Sequence, residues 1–121
     1  MGWLHALLGN YHQARDICRE TVAQFRELGS AAGEAALWDS LGYAEHHLGN
    51  LPEAATCYER SLALFQETGD RYNQAAVLDH LGDNFHAGGK PWQSRTAWRQ
   101  ALEILDHLGC PDTDALRSKL R

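Results

Sequence analysis

The amino-acid sequence repeats itself every 40 residues. The Leu-Gly-Asn sequence at residues 8–10 recurs at residues 48–50. When residues 8–47 are laid on residues 48–87 without a gap, more than a third of the positions hold the same residue. A period of this length is typical of repeat architectures, in which each unit buries its apolar face against the next unit. The repeat therefore predicts a stack of similar units, a kind of protein that usually binds other chains.

Glycine and proline mark the ends of helical segments. Gly29, Gly69 and Gly109 share one phase of the repeat, where a left-handed residue would end a helix. Pro52 and Pro91 follow glycine-containing turns, and proline is tolerated in the first turn of a helix. Between these marks, apolar residues recur at steps of three and four. The pattern predicts no strands and seven helices, near residues 2–8, 11–28, 32–47, 51–68, 71–87, 91–108 and 112–120.

The starts of two predicted helices carry capping signals. Asn50 is a favourable N-cap residue, and Glu53 three residues later completes a pair resembling a capping box. Asn10 and Gln13 stand in the same relation one period earlier. The connections of three or four residues force neighbouring helices to run antiparallel. We therefore expect a series of helical hairpins.

Composition excludes several classes of protein. Hydrophobic residues make up 44% of the 121 residues and charged residues 22%, as in an ordinary globular domain. The net charge of −5 disfavours nucleic-acid binding, which needs a basic surface. No apolar run has membrane-spanning length, and residues 1–10 do not resemble a signal peptide. The three cysteines form no CxxC pair, which predicts free thiols in a reducing compartment and a cytoplasmic protein.

The repeated units resemble the tetratricopeptide repeat (TPR). In that family, helix A carries a large residue, then Leu-Gly, then an aromatic residue, and helix B carries a small–aromatic–small pattern. The positions that match the pattern, which the resemblance assigns to packing between helices, are Trp38, Leu41, Gly42, Ala54, Tyr58 and Ser61 in one unit and Leu78, Leu81, Gly82, Phe85, Ser94, Trp98 and Ala101 in the next. We expect the glycines to face Ala54 and Ser94, and Tyr58 and Trp98 to fill the gap to the following repeat. The sequence departs from the family in its longer period and in Glu45, which replaces the aromatic residue that Phe85 supplies.

The resemblance implies an all-α, right-handed superhelix of about seven helices that forms a single domain over residues 1–121. We expect these parts in chain order: a truncated first unit at 1–28, repeats at 32–68 and 71–108, and a C-terminal capping helix at 112–120. Because Met1 falls at the phase of Leu41, we expect a chain that starts inside a helix A, as a fragment of a longer protein or from an engineered start. Residues 58–83 also resemble the TPR tails of actinobacterial regulators of the SARP and NB-ARC types. That likeness implies the regulatory segment of a bacterial transcriptional regulator.

In the TPR family, the A helices line a concave groove. Carried over to this sequence, the residues expected in the groove are Asp39, Tyr43, His46, His47, Asp79, Asp83 and His86, with Lys119 from the terminal helix. Asp39 and His46 recur one period later as Asp79 and His86. This row is either a ladder of acceptors and donors for a peptide, with the acidic groove favouring a basic one, or an inheritance from duplication. The spacing of the histidines along each helix predicts no metal site, and nothing in the sequence indicates a cofactor.

The sequence therefore predicts a protein–protein interaction module and no enzyme, because no Ser, His and Asp set and no carboxylate pair has motif context. The expected partner is a protein or peptide, with no direct binding to nucleic acid or membrane. Two alternatives remain open: a receptor groove for a small signalling peptide, and a structural or oligomerisation spacer. The first unit lacks a polar cap, so Trp3, Leu4 and Leu7 would lie on an uncovered face and support a homodimer.

Overall fold

The computed structural model describes the backbone of residues 2–121 and the side chains of residues 9–121. This part of the chain contains no strand, and its six helices are α1 (Gly2–Leu28), α2 (Ala31–His47), α3 (Leu51–Thr68), α4 (Arg71–Ala87), α5 (Pro91–His107) and α6 (Asp114–Lys119). Each helix packs against the next one in the chain. The predicted all-α array of helical hairpins is therefore confirmed. None of the helices within residues 2–121 combines the length and the apolar character that crossing a membrane requires.

A glycine with left-handed backbone conformation follows each of the first five helices. These residues have φ between 71° and 83° and are Gly29, Gly49, Gly69, Gly89 and Gly109. The predicted helix-ending role of the glycines at 29, 69 and 109 is thus confirmed. All five are 20 residues apart, so each helix and its connection take up half of the 40-residue period.

The first helix is longer than the sequence pattern predicts. The prediction of separate helices at 2–8 and 11–28 is wrong, because α1 runs through Gly9 without a break, and Asn10 lies inside the helix. In the second unit Pro52 lacks the backbone N–H that would continue the preceding helix, whereas the first unit has His12 at that position. Extending an existing helix is also easier than starting a separate one of seven residues. The chain therefore has six described helices instead of seven.

Side-chain caps begin two of the helices. Ser30 and Asp70 each accept a hydrogen bond from the backbone N–H three residues later, at 3.3 and 3.1 Å. Asn50 stands at the N-cap position of α3 but makes no such bond. Its Nδ2 instead donates to Oε2 of Glu45 at 3.4 Å. The predicted side-chain cap at Asn50 is therefore wrong, because a buried carboxylate on the preceding helix competes for the amide.

An aromatic ring lies over a glycine within each complete hairpin. A Cβ added to Gly42 would stand 2.8 Å from the ring of Tyr58, and one added to Gly82 would overlap the indole of Trp98. In both cases the three nearest atoms belong to the aromatic ring rather than to Ala54 or Ser94. The missing glycine side chain thus makes room for a ring, and this contact holds helix A against helix B.

Two apolar clusters connect successive hairpins. The first joins α2, α3 and α4 through Ala35, Ala54, Tyr58, Phe65, Val77 and Leu81, with Phe85 packed at its edge. The second joins α4, α5 and α6 through Ala75, Leu78, Trp98, Ala101, Ile104 and Leu116. Ser94 and Leu41 are also buried. Tyr58 and Trp98 therefore contact both their own hairpin and the helix that follows it.

A buried ionic group lies between α1 and α2 at a position of the repeat where the next unit is apolar. Glu45 is only 1% exposed, and its Oε1 lies 3.7 Å from Nε of Arg15 and 3.9 Å from Nη2 of Arg19. Among the described residues, this oxygen has no hydrogen-bond partner. One period later the position belongs to Phe85, which packs against the first apolar cluster. A buried carboxylate in such a place depends on its two cations.

Trp38 and Leu78 share one phase but shape the surface differently. The half-buried ring of Trp38 lies 4.7 Å from the guanidinium of Arg60 on α3 and 5.9 Å from that of Arg26 on α1. These contacts cover the surface between α1 and α3. One unit later, an open cleft of about 430 Å³ between α3 and α5 has Leu78 and Gln100 among its lining residues.

Candidate protein-binding face

Helices α2, α4 and α6 present charged and aromatic side chains on one shared surface. We call this surface the A face and define it by Asp39, Tyr43, His47, Asp79, His80, Asp83 and Lys119, with Tyr11 of α1 at its edge. Contacts between side chains of different helices hold it together. The A face is therefore assembled from residues far apart in the sequence.

Asp39 of α2 and His80 of α4 form an ion pair across the junction between two repeats. His80 Nδ1 donates to Oδ1 of Asp39 at 2.8 Å, and both side chains are about one-third exposed or less. This hydrogen bond raises the pKa of His80, and burial of the ring acts in the opposite direction. The more remote carboxylates of Asp79 and Asp83 raise this pKa further. At mildly acidic pH the imidazole of His80 is therefore protonated, and its contact with Asp39 is ionic.

Aromatic rings cluster beside this ion pair. Tyr11 stacks on His47 with ring centroids 4.7 Å apart, and Tyr43 lies 4.2 Å from the same imidazole. Tyr43 is 47% exposed and presents its phenol ring to solvent. A cleft of about 430 Å³ is lined by Tyr11, Asp39, Tyr43 and His80, together with small residues of α1 and α2. The cleft therefore combines an acidic group with exposed aromatic surface.

A second acidic group lies one repeat further along the A face. Lys119 Nζ donates to Oδ1 of Asp79 at 2.7 Å and to Oδ1 of Asp83 at 2.9 Å. Trp98 Nε1 donates to Oδ1 of Asp83 at 3.2 Å, and Lys119 Nζ lies 5.9 Å from the centroid of that indole ring. Burial acts to lower the pKa of Lys119, but the hydrogen bonds that its ammonium donates to the two carboxylates outweigh this effect and raise the pKa.

Two of the expected groove histidines make other contacts. His46 donates from Nδ1 to Oδ1 of the buried Asn84 at 2.9 Å, and Asn84 in turn donates to the carbonyl oxygen of Leu51 at 3.0 Å. His86 is exposed, and its ring lies 5.6 Å from that of Trp98. His46 therefore ties α2 to α4, while its counterpart one period later rests on α5. The shared phase of these histidines does not give them a shared environment.

Comparison with known protein families matches residues 33–107, which span α2 to α5, to the tetratricopeptide repeat. The chain belongs to the TPR family. Repeats of this family generally mediate protein–protein interaction and form a non-catalytic module. No curated protein matches the chain.

The structure brings most of the expected TPR groove residues together, and His46 lines a small pocket with several residues of the A face. It places Asp39, Tyr43, His47, Asp79 and Asp83 on the A face, all of them close to another charged or aromatic group. Sequence reasoning assigned no binding role to His80 or Tyr11. The feature of the sequence that could have indicated His80 was its position directly after Asp79 on the same helix, α4. For Tyr11 the feature was the aromatic side chain itself, because one period later the same position holds Leu51.

Two further expectations concern metal and self-association. Within the part of the chain that the structure describes, no three His, Cys, Asp or Glu side chains come together as ligands for a metal ion. The side chains of Trp3, Leu4 and Leu7 lie outside the described residues. Homodimer formation through the N-terminal end therefore stays a prediction, and analytical ultracentrifugation would test it.

Proposed function

We propose that this TPR module binds a basic segment of another protein on the A face, with a Lys or Arg side chain in the cleft beside Tyr43. The observation that carries the proposal is the exposed phenol ring of Tyr43 next to the carboxylate of Asp39 in a cleft of about 430 Å³. A guanidinium or ammonium group gains from both kinds of contact, since aromatic faces attract cations and carboxylates accept charged hydrogen bonds. The family's general role in protein binding supports the same interpretation.

The charge of the surrounding surface also favours a basic partner. Asp39, Asp79 and Asp83 outnumber Lys119 and the partly charged His80 on the A face, and the whole chain carries a net charge of −5. An acidic surface steers a basic segment toward it and raises the association rate at low salt. We therefore expect affinity to fall steeply as salt concentration rises.

Fluorescence anisotropy with a designed probe tests this proposal. The probe is a labelled peptide in which arginine and lysine alternate with alanine, and the control probe carries glutamate at the charged positions. We expect binding of the basic peptide only. Tyr43→Ala should weaken it roughly tenfold, because a central aromatic anchor is lost. Tyr72→Ala is the matched control, since Tyr72 is also exposed but lies outside the A face. Absence of binding at low salt, or equal affinity of the two variants, would refute the proposal.

We also infer that the module is the regulatory segment of a bacterial transcriptional regulator. Support comes from the likeness of residues 58–83 to the TPR tails of SARP-type and NB-ARC regulators. The basic segment would then belong to another part of the same regulator or to a protein that controls it. The full-length gene tests this inference: a DNA-binding domain and a nucleotide-binding module in the same reading frame would support it, and their absence from the full-length gene would contradict it.

A further inference from the structure

Lys119 places an ammonium group in the acidic part of the A face. It contacts three carboxylate oxygens of Asp79 and Asp83 at 2.7, 2.9 and 3.2 Å. The indole of Trp98 lies beside it and orients Asp83 through the Nε1 hydrogen bond. Two carboxylates and an aromatic face surround a lysine side chain in the way that a binding site for a foreign lysine would.

The preceding junction uses a different group for the corresponding contact. There Asp39 pairs with His80, an imidazole that can lose its charge near neutral pH, and the adjoining cleft is open. At the second junction the counterpart of Asp39 is Asp79, and its partner is a permanently charged lysine. Both acidic groups of the A face are therefore paired within the chain, and they differ in the cation: the first meets an imidazole that can lose its charge, and the second meets a lysine that keeps it.

The helix that supplies the lysine is attached through few groups. α6 has six residues, and Leu116 is its one buried side chain. Arg117 pairs with Asp106 at 2.7 and 2.9 Å on the surface, and Arg95 donates to the carbonyl oxygen of Leu120 at 3.1 Å. Lys119 itself is 31% exposed on a long flexible stem. Its ammonium can therefore leave the carboxylates without disturbing Leu116 in the core.

We propose that Asp79, Asp83 and Trp98 form a second lysine-binding subsite of the A face, which Lys119 occupies until a lysine of the basic partner displaces it. This inference rests on the proposed function and adds a competition within the chain. The intramolecular lysine lowers the affinity for basic segments in general. A partner must then supply two cations, one for the cleft at Tyr43 and one for this subsite.

Binding of the labelled basic peptide to two matched variants tests the competition. Lys119→Met keeps an apolar stem of similar length and removes the ammonium, and Lys90→Met makes the same charge change at the only other lysine of the chain. Lys90 lies at the start of α5, near Phe85. We expect Lys119→Met to bind the peptide about fivefold more tightly than wild type and Lys90→Met to bind it unchanged. Adding Asp79→Asn to Lys119→Met should abolish the gain.

NMR of the wild-type protein provides a second measurement that does not depend on a variant. With isotope-labelled lysine, the chain gives two Nζ signals, one from each lysine. We expect addition of the peptide to move the Lys119 signal toward that of a free side chain and to leave the Lys90 signal in place.

The outcomes separate the two proposals. If all proteins bind the peptide equally and the Lys119 signal stays unchanged, the competition is refuted and binding at the Tyr43 cleft stands. If neither wild type nor variants bind the peptide, the proposed function is refuted as well.

Discussion

Replacing Gly82 by alanine perturbs the second hairpin at its tightest contact. The added Cβ would overlap the indole of Trp98, which is only 5% exposed and has little room to move. Overpacking of this kind costs about 2 kcal/mol. Displacement of the ring also breaks its hydrogen bond to Asp83, a loss of roughly 1 kcal/mol because that carboxylate is partly open to water. The higher helix propensity of alanine offsets about 1 kcal/mol.

The net expectation for Gly82→Ala is a loss of about 2 kcal/mol in the free energy of unfolding, or a fall in Tm of about 8 °C for a chain of this length. Gly9→Ala is the matched control. Gly9 is helical, and a Cβ there would meet none of the described side chains within 4 Å, so the same substitution should stabilise by roughly 1 kcal/mol. Far-UV circular dichroism during heating and in urea measures both variants.

The pair of variants refutes the reasoning in two separate ways. A Gly82→Ala protein as stable as wild type would show that Trp98 does not rest on α4. A Gly9→Ala protein less stable than wild type would show that the chain turns at Gly9 with a left-handed backbone instead of continuing as a helix.

Three further predictions concern the ionic and packing contacts. Arg15→Met should destabilise the protein by about 2 kcal/mol in urea unfolding, because it weakens the compensation of the buried Glu45; adding Glu45→Met should recover most of the loss, and no recovery would show that the arginine acts through packing. The raised pKa of His80 means that its pairing with Asp39 stabilises the fold fully below its unfolded value of about 6.5 and that this contribution fades as pH rises through the folded value. His80→Gln should therefore lose more stability at about pH 6 than at about pH 8, and equal losses would contradict this account. Leu78→Trp should destabilise by about 2 kcal/mol in the same assay, because Leu78 is buried in the second apolar cluster and the larger indole overpacks it, whereas a gain in stability would show that the adjoining cleft accepts the ring.

The fold could be predicted from the sequence because the repeat and the turn glycines are local signals. A glycine that ends one helix and a proline that starts the next determine where each hairpin turns, without reference to distant residues. The same local logic explains the error at Gly9. The glycine and Asn10 were present, but the proline that interrupts the helix in the second unit was not, and the glycine alone did not impose a turn.

The A face could be predicted only in part, because its contacts depend on how one helix is rotated against the next. The phase of Asp39 and Asp79 placed them on helix A, but it did not indicate that the cations opposite them would be His80 and Lys119. His46 shows the same limit. Its repetition at position 86 suggested a shared role, and the partner that determines its environment, Asn84, lies on another helix.

The ion pairs between successive A helices have a mechanical consequence. They join one edge of the array from hairpin to hairpin, while on the opposite edge no ion pair among the described residues crosses the cleft between α3 and α5. A ligand that pairs with these aspartates would break the ion pairs along that edge, and the array would bend more easily at the position of the ligand. In a longer array with the same ion pairs, a ligand bound to one repeat would thus change the curvature of the surface on which a second ligand binds.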